Sequence, residues 1–563
     1  MNILFISGGH SGRNWFILAI IAVVAFILFA YLFGLIPDFF AGEEYDKIRY
    51  PAIYNHIDSW TTYFNEKGRP IEGIYWTYMY EVLSYQPKIF HLFSLLIHFF
   101  AVLLTALAFT RVLKKGSYWT WEFGFVFLIF FFNPFSLHSV FRISLDAPGI
   151  ALITFMGSVL CFQNYAMSQL RGFKWLLASI FLFFLTIFNY EVAAFLFPVA
   201  LLLSWPFINS ETKVKSKRIA IALITGGTLS CFAVLIPFQV YSQLQQTSGL
   251  SIANPAMSMQ GKPLLPLIQP TALMIFSYLR NIGNGLFAPS SWQLIILRSL
   301  IVIPFFSGLI IVLRAIGKNK TPLLWIKHKF QDPRAMTFLG SIWIIIFGSL
   351  PFALIGYRPE SIRAYSATIF GILAMGALVT LFQKRYKIIK VVGTFILVGS
   401  IFVGLSQYFT QAKVLQTRRE FYYQYFINFA NTIPGLKERT TLVFADHTVG
   451  SLSGCPGMFQ VLYQTEEIWC GFLSKLDSLL LAERFSDSIN FHYGGWSRYG
   501  NEVLIALEEN YTPVILNQVT QRDGYLINWF DNSPISTDFR RITDHEAATN
   551  SPMYKYLIEN FGQ

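Results

Sequence analysis

Charge is what this chain has least of. Charged residues make up 13% of its 563 residues, against about 25% in an ordinary soluble domain. Hydrophobic residues make up 54%, with 57 Phe among them, and mean hydropathy is +0.48. A soluble chain of this length has no interior large enough for so much apolar surface, so lipid has to solvate much of it. Low charge and high hydrophobicity exclude a disordered chain, and the lack of a short repeat excludes collagen and coiled coil. No Walker-type phosphate loop is present, which argues against a soluble nucleotide enzyme. Cysteine is scarce, with four in all.

What charge there is divides unevenly. Residues 1–410 hold 31 Lys+Arg and 14 Asp+Glu, net +17, and residues 411–563 hold 12 and 17, net −5. The basic excess belongs to the apolar part, where short cytoplasmic loops are positive. A nucleic-acid partner would need it on a folded soluble surface, so none is expected.

A helix needs about 20 apolar residues to cross a bilayer. Runs of this kind lie near 15–36, 88–110, 119–137, 147–168, 175–188, 192–207, 219–240, 293–314, 337–356, 365–383 and 391–410, eleven in all. The fold class expected is therefore an all-α polytopic membrane protein, residues 1–410. A small α/β domain follows over 411–563, where Thr440 to Ala445, Val503 to Leu507 and Tyr511 to Leu516 read as strands. Basic loops at Arg111/Lys114/Lys115, Arg171/Lys174, Lys213 to Arg218, Arg314 to Arg334 and Lys384 to Lys390 are assigned inside. This makes Asn189-Tyr190-Glu191 an outer turn, the first segment an uncleaved signal anchor, and the C-terminal domain extracytoplasmic. The expected location is the plasma (inner) membrane. In that compartment Cys455 and Cys470, 15 residues apart, can pair as a disulfide worth about 3 kcal/mol or stand as two thiols.

The acids of the apolar part gather on the assigned outer side. Eight occupy the first outer loop, 37–88: Asp38, Glu43, Glu44, Asp46, Asp58, Glu66, Glu72 and Glu81. Asp146, Glu191 and Glu360 fall at other outer turns. Carboxylates beside membrane helices are costly and mark functional sites. Arg69, Arg142, Arg280, Arg358 and Arg363 map to the same side, with Arg298 near the outer end of its helix. Guanidinium groups recognise phosphate; the plainer reading pairs them with the acids. The loop's many Tyr and Trp are read as interface anchors or a sugar-binding surface. His56, His91, His98 and His138 lack metal-ligand spacing, so no metal and no cofactor are expected, with a divalent ion between carboxylates left open.

Several short motifs then fall in one order. They are Phe40-Ala41-Gly42-Glu43-Glu44, Gly68-Arg69-Pro70, His91 to His98 (HLFSLLIH), Asn133 to Ser139 (NPFSLHS) followed by Asp146, Tyr190-Glu191 ahead of Pro198, and Glu360 to Tyr365 (ESIRAY). Together they resemble the C-type (GT-C) membrane glycosyltransferases, above all the polyprenyl- or dolichyl-phosphate-sugar-dependent O-mannosyltransferase-like enzymes. The resemblance implies an inverting hexosyltransferase of the cell envelope. It would take its sugar from a polyprenyl-phosphate carrier and pass it to an extracytoplasmic glycan, lipid or protein. Glu44 is the expected base, with Glu43 and Asp46 as alternates. Arg69, Arg142, Asp146, Glu191, Arg280, Arg298, Glu360, Arg363 and Tyr365 are the expected substrate contacts. Two other readings are a polysaccharide polymerase or ligase, and a lipid-linked-sugar flippase or transporter. Internal repeats and mid-membrane charge would favour the flippase.

Overall fold

The computed structural model describes residues 10–40, 42–67, 69–113, 121–132, 146–168, 172–190 and 197–207, separate residues between 401 and 431, and residues 440–444, 455–464, 468–472, 502–509, 512–520 and 551–561. The apolar runs read at 219–240, 293–314, 337–356 and 365–383 lie outside the described residues.

The apolar part is helical wherever it is described. Helix α1 spans His10–Leu32, α5 Pro87–Leu113, α6 Trp121–Phe131, α7 Asp146–Met167, α8 Phe173–Asn189 and α9 Phe197–Ser204. Two segments are long and apolar enough to cross a membrane, Pro87–Val112 and Asp146–Met167, while Phe16–Leu32 and Phe173–Asn189 are shorter apolar helices. Gly34 ends α1. It takes φ +66°, and the Leu35 N–H reaches the Ala30 carbonyl at 2.9 Å while the Gly34 N–H reaches Tyr31 at 3.4 Å. That is the paired-carbonyl helix stop that glycine makes without steric cost.

Helix α8 is apolar on both faces, with hydroxyls only on the buried one. Its buried face carries Leu176, Ser179, Phe183, Thr186 and Ile187. Its outward stripe is Phe173, Leu177, Phe181 and Phe184, spaced four, four and three. The small hydroxyls turn inward onto α7: Ser158 Oγ donates to the Ser179 carbonyl at 2.7 Å, and the Thr154 and Thr186 hydroxyls meet at 2.8 Å. Small and polar residues between helices with large apolar ones outside is the packing that lipid favours. Water would penalise such a row of Phe and Leu.

The loop at 37–88 is folded. It forms α2 (Gly42–Ile53), α3 (His56–Lys67) and α4 (Pro70–Leu83). Arg69 caps α4, with Pro70 at the first helical position, and Ser84 at φ 52° ends it. Most of the aromatics read as anchors at a water–lipid boundary are core instead. Tyr45, Tyr50, Tyr63, Trp76, Tyr80 and Tyr85 are buried together with Phe39, Phe40 and Phe90. Large rings supply the apolar area that three helices of 12 to 14 residues need in order to hold together.

That core takes in the C-terminal part of the chain. Helices α10 (Cys455–Tyr463) and α11 (Pro552–Phe561) bury Met458, Phe459, Leu462, Met553, Tyr556 and Leu557 in it. The strand β1 (Thr440–Phe444) precedes α10, and β2 (Ile468–Phe472), β3 (Glu502–Glu509) and β4 (Thr512–Thr520) lie between α10 and α11. The sheet order is β2-β1-β3-β4, with β1 parallel to β2 and β3 and with β4 antiparallel to β3. Cys455 opens α10 and Cys470 pairs in register with Leu442; their side chains lie outside the described residues.

Gly457 sets how closely α10 meets α2. A Cβ there would lie 3.0 Å from the Tyr45 carbonyl carbon and 3.2 Å from the Asp46 nitrogen. Both neighbours are backbone and cannot swing away. Gly457→Val should therefore destabilise the joint by about 1–3 kcal/mol and lower the melting temperature of the purified full chain. An unchanged melting temperature would contradict the close approach.

Candidate active site

Three acids, Glu44, Glu72 and Asp146, are buried where the first-loop helices meet the apolar helices, each in its own group, while Asp58 and Glu81 are exposed. The first is Glu44, in the first turn of α2 and fully buried. Its Oε2 lies 3.8 Å from His91 Nε2 on α5, and that same nitrogen donates to the Phe39 carbonyl at 3.0 Å. The carbonyl can only accept, so Nε2 carries the hydrogen.

Glu72, on α4 and without exposed surface, is the centre of the second group. Lys47 Nζ donates to its Oε1 at 2.6 Å and to the Tyr63 hydroxyl at 2.9 Å. Arg69 Nη1 donates to Oε2 at 3.3 Å, and the Arg69 guanidinium also sits 4.9 Å from the Tyr190 ring centre at the end of α8. Burial pushes the Glu72 carboxyl up, but the charges of Lys47 and Arg69 outweigh it and bring it from 4.5 to about 2. The same burial, together with the Glu72 charge, drives the Tyr63 phenol well above its ordinary range. Glu72 is thus a fixed anion with little basicity, suited to holding its partners in place.

Asp146, the first residue of α7, forms the third. Tyr75 OH donates to its Oδ2 at 2.7 Å and Ser94 Oγ to its Oδ1 at 2.5 Å. Nearby, Asp38 accepts from Arg419 Nη1 at 2.6 Å, and the Tyr556 hydroxyl donates to the Asp38 carbonyl at 3.1 Å. Burial raises the Asp38 carboxyl above its ordinary value even against the Arg419 charge. At the opposite end of the bundle Arg111 donates to Asn164 Oδ1 at 2.5 Å, so the loop-end cation at 111 stands away from the acids.

Of the sequence candidates, Glu44, Asp46, Arg69 and Asp146 are brought to this end, with Asp46 half-buried on α2. The Glu43 side chain lies outside the described residues, as do Arg142, Glu191, Arg280, Arg298, Glu360, Arg363 and Tyr365 entirely. Arg69 is committed to Glu72 and Tyr190 rather than left open to a phosphate. Lys47, Tyr63, Tyr75, His91 and Ser94 were not among the candidates. His98 is buried with its Nε2 on the Phe131 carbonyl at 3.2 Å, a packing role. Among the described residues, no group of three or more His, Cys, Asp or Glu could hold a metal ion.

The class these observations define is a helical protein with apolar, lipid-suited helices that carries a buried carboxylate cluster at one end. No family model and no curated protein matches the chain.

The ion pair at Glu72 carries a pH signature. A carboxyl whose folded value is depressed stabilises the fold above its unfolded value and loses that contribution as pH falls through the folded one. Here the window runs from 4.5 down to about 2, worth about 3 kcal/mol across it. Glu72→Gln leaves Lys47 and Arg69 without their anion, a loss of about 3–5 kcal/mol for a broken buried pair. The variant should melt lower at pH 7 and show a flatter acid limb than the parent. Matching acid limbs would refute the pairing.

Proposed function

We propose that the chain is an integral-membrane glycosyltransferase. It moves a sugar from a polyprenyl-phosphate donor to an extracytoplasmic glycan, lipid or protein acceptor. The observation that carries this reading is the gathering of Glu44, Glu72 and Asp146 at one end of apolar helices. There a lipid-borne donor would meet carboxylates without leaving the bilayer. The motif order from Phe40 to Tyr365 supports the same reading.

In the reaction proposed, the acceptor hydroxyl oxygen attacks the anomeric carbon as Glu44 takes its proton. The bond from that carbon to the phosphate oxygen breaks, and polyprenyl phosphate leaves as the anion, so the anomeric configuration inverts. Positive charge at the departing phosphate is assigned to Arg280, Arg298 and Arg363. Glu72, Lys47 and Arg69 hold α2 and α4 in register, and Tyr75 with Ser94 orients Asp146.

The test uses the full chain in proteoliposomes with a labelled polyprenyl-phosphate sugar. Glu44→Gln keeps the shape and removes the basicity. It should still retain the lipid donor and lose transfer by about 10²–10⁴, with Glu43→Gln and Asp46→Asn losing less. Near-normal transfer by Glu44→Gln alongside a dead Asp46→Asn or Glu43→Gln would move the base to that residue. Retained transfer in all three would remove the first-loop helices from the chemistry.

A further inference from the structure

Helix α4 keeps an exposed face that the described fold touches at its middle, where the His56 ring meets Tyr78 edge-on with centroids 4.5 Å apart. Ile74, Tyr78 and Val82, each four residues from the next, are 42%, 53% and 78% exposed. On the other side of the same helix Glu72, Gly73, Trp76, Thr77 and Tyr80 are buried. The stripe is apolar with one phenol at its centre, and its rim carries the His56–Glu81 pair at 2.9 Å.

What this face meets follows from where α4 is tied down. At its start, Arg69 stacks on Tyr190, the residue that caps the outgoing end of apolar helix α8. Six residues on, Tyr75 bonds Asp146, the first residue of the candidate span α7. At its close, the chain turns at Ser84 and enters the other candidate span at Pro87. Along α4 the order of attachment is therefore α8, α7, α5, and α7 packs against both others. Packed helix axes lie about 8–10 Å apart, so crossing three helix ends takes about 16–20 Å. A helix of 14 residues is about 21 Å long. The lengths agree, and α4 lies across the ends of these helices at the level where they leave the apolar layer.

We infer that α4 is an interfacial helix whose Ile74–Tyr78–Val82 face docks on a lipid surface, the headgroup boundary of the membrane that α5 and α7 enter. Interfacial helices immerse their apolar face about 5–10 Å into that boundary. Tyrosine is favoured there because its ring is apolar and its hydroxyl wet. The Lys88 ammonium, 4.5 Å from the Tyr31 ring centre near the end of α1, adds an amphipathic pair where α1 ends and α5 begins. The inference rests on the membrane placement of the bundle and is independent of the reaction proposed above.

The test replaces Ile74, Tyr78 or Val82, one at a time, with the photo-crosslinking residue p-benzoylphenylalanine in the full chain in its native membrane. Exposed Lys555 on α11 serves as the control position. Illumination followed by mass spectrometry should give phospholipid adducts at the three α4 positions and none at 555. Adducts at 74, 78 and 82 no more frequent than at 555 would overturn the inference. So would crosslinks from these positions to another protein, including a second copy of the chain, in place of lipid.

Discussion

A carboxylate with no exposed surface has to be neutralised by charge brought to it, and the folding of the acidic end depends on how Glu72 meets that demand. Lys47 comes from α2, Arg69 from the cap of α4, and Arg69 in turn rests on Tyr190 at the end of α8. One anion thereby pins two short helices to each other and to the apolar helix α8. Without it, α2 and α4 would lose the direct Lys47–Glu72 ion pair, keeping their aromatic packing and the Tyr75–Asp146 bond. Desolvating the ions is expensive, so the cluster is retained for the geometry it specifies more than for the stability it adds.

The second constraint is the solvent. Helix α8 turns Ser179 and Thr186 inward and Phe173, Leu177, Phe181 and Phe184 outward. In lipid such a helix would be held by close approach and interhelical hydroxyl contacts, since lipid removes the hydrophobic drive between helices. The acid-bearing end obeys the opposite rule. Its aromatic core is buried by α10 and α11, with Gly457 admitting α10 to within contact of the α2 backbone. The chain thus joins apolar helices with lipid-suited outer faces to a cap with a buried aromatic core, and the carboxylates lie at the join.

The apolar helices were legible in the sequence because an unbroken apolar run is a local signal. The run at 175–188 declares itself without reference to any other residue and falls inside the helix Phe173–Asn189, while the run at 15–36 overshoots the stop at Gly34. The acids were legible as a cluster because carboxylates are rare in such a chain. Their partners were not. Tyr75 and Ser94 meet Asp146 across 71 and 52 residues, and no local pattern encodes that. Lys47 looked like one more charge in a polar loop. The folding of that loop into three helices was hidden because its rings repeat at no single period. The sharing of one core by Phe40 and Phe459 is purely tertiary.

The shared core makes one side-of-membrane measurement decisive for the account as a whole. Tyr556 on α11 donates to the carbonyl of Asp38, so whichever side of the membrane holds the C-terminal helix also holds Glu44, Glu72 and Asp38. A reporter enzyme active only outside the cytoplasm, fused after Gln563 of the full chain, should be active in intact cells. Activity only from a matched cytoplasmic reporter at the same position would put the carboxylates inside and contradict the extracytoplasmic site on which the proposed transfer depends.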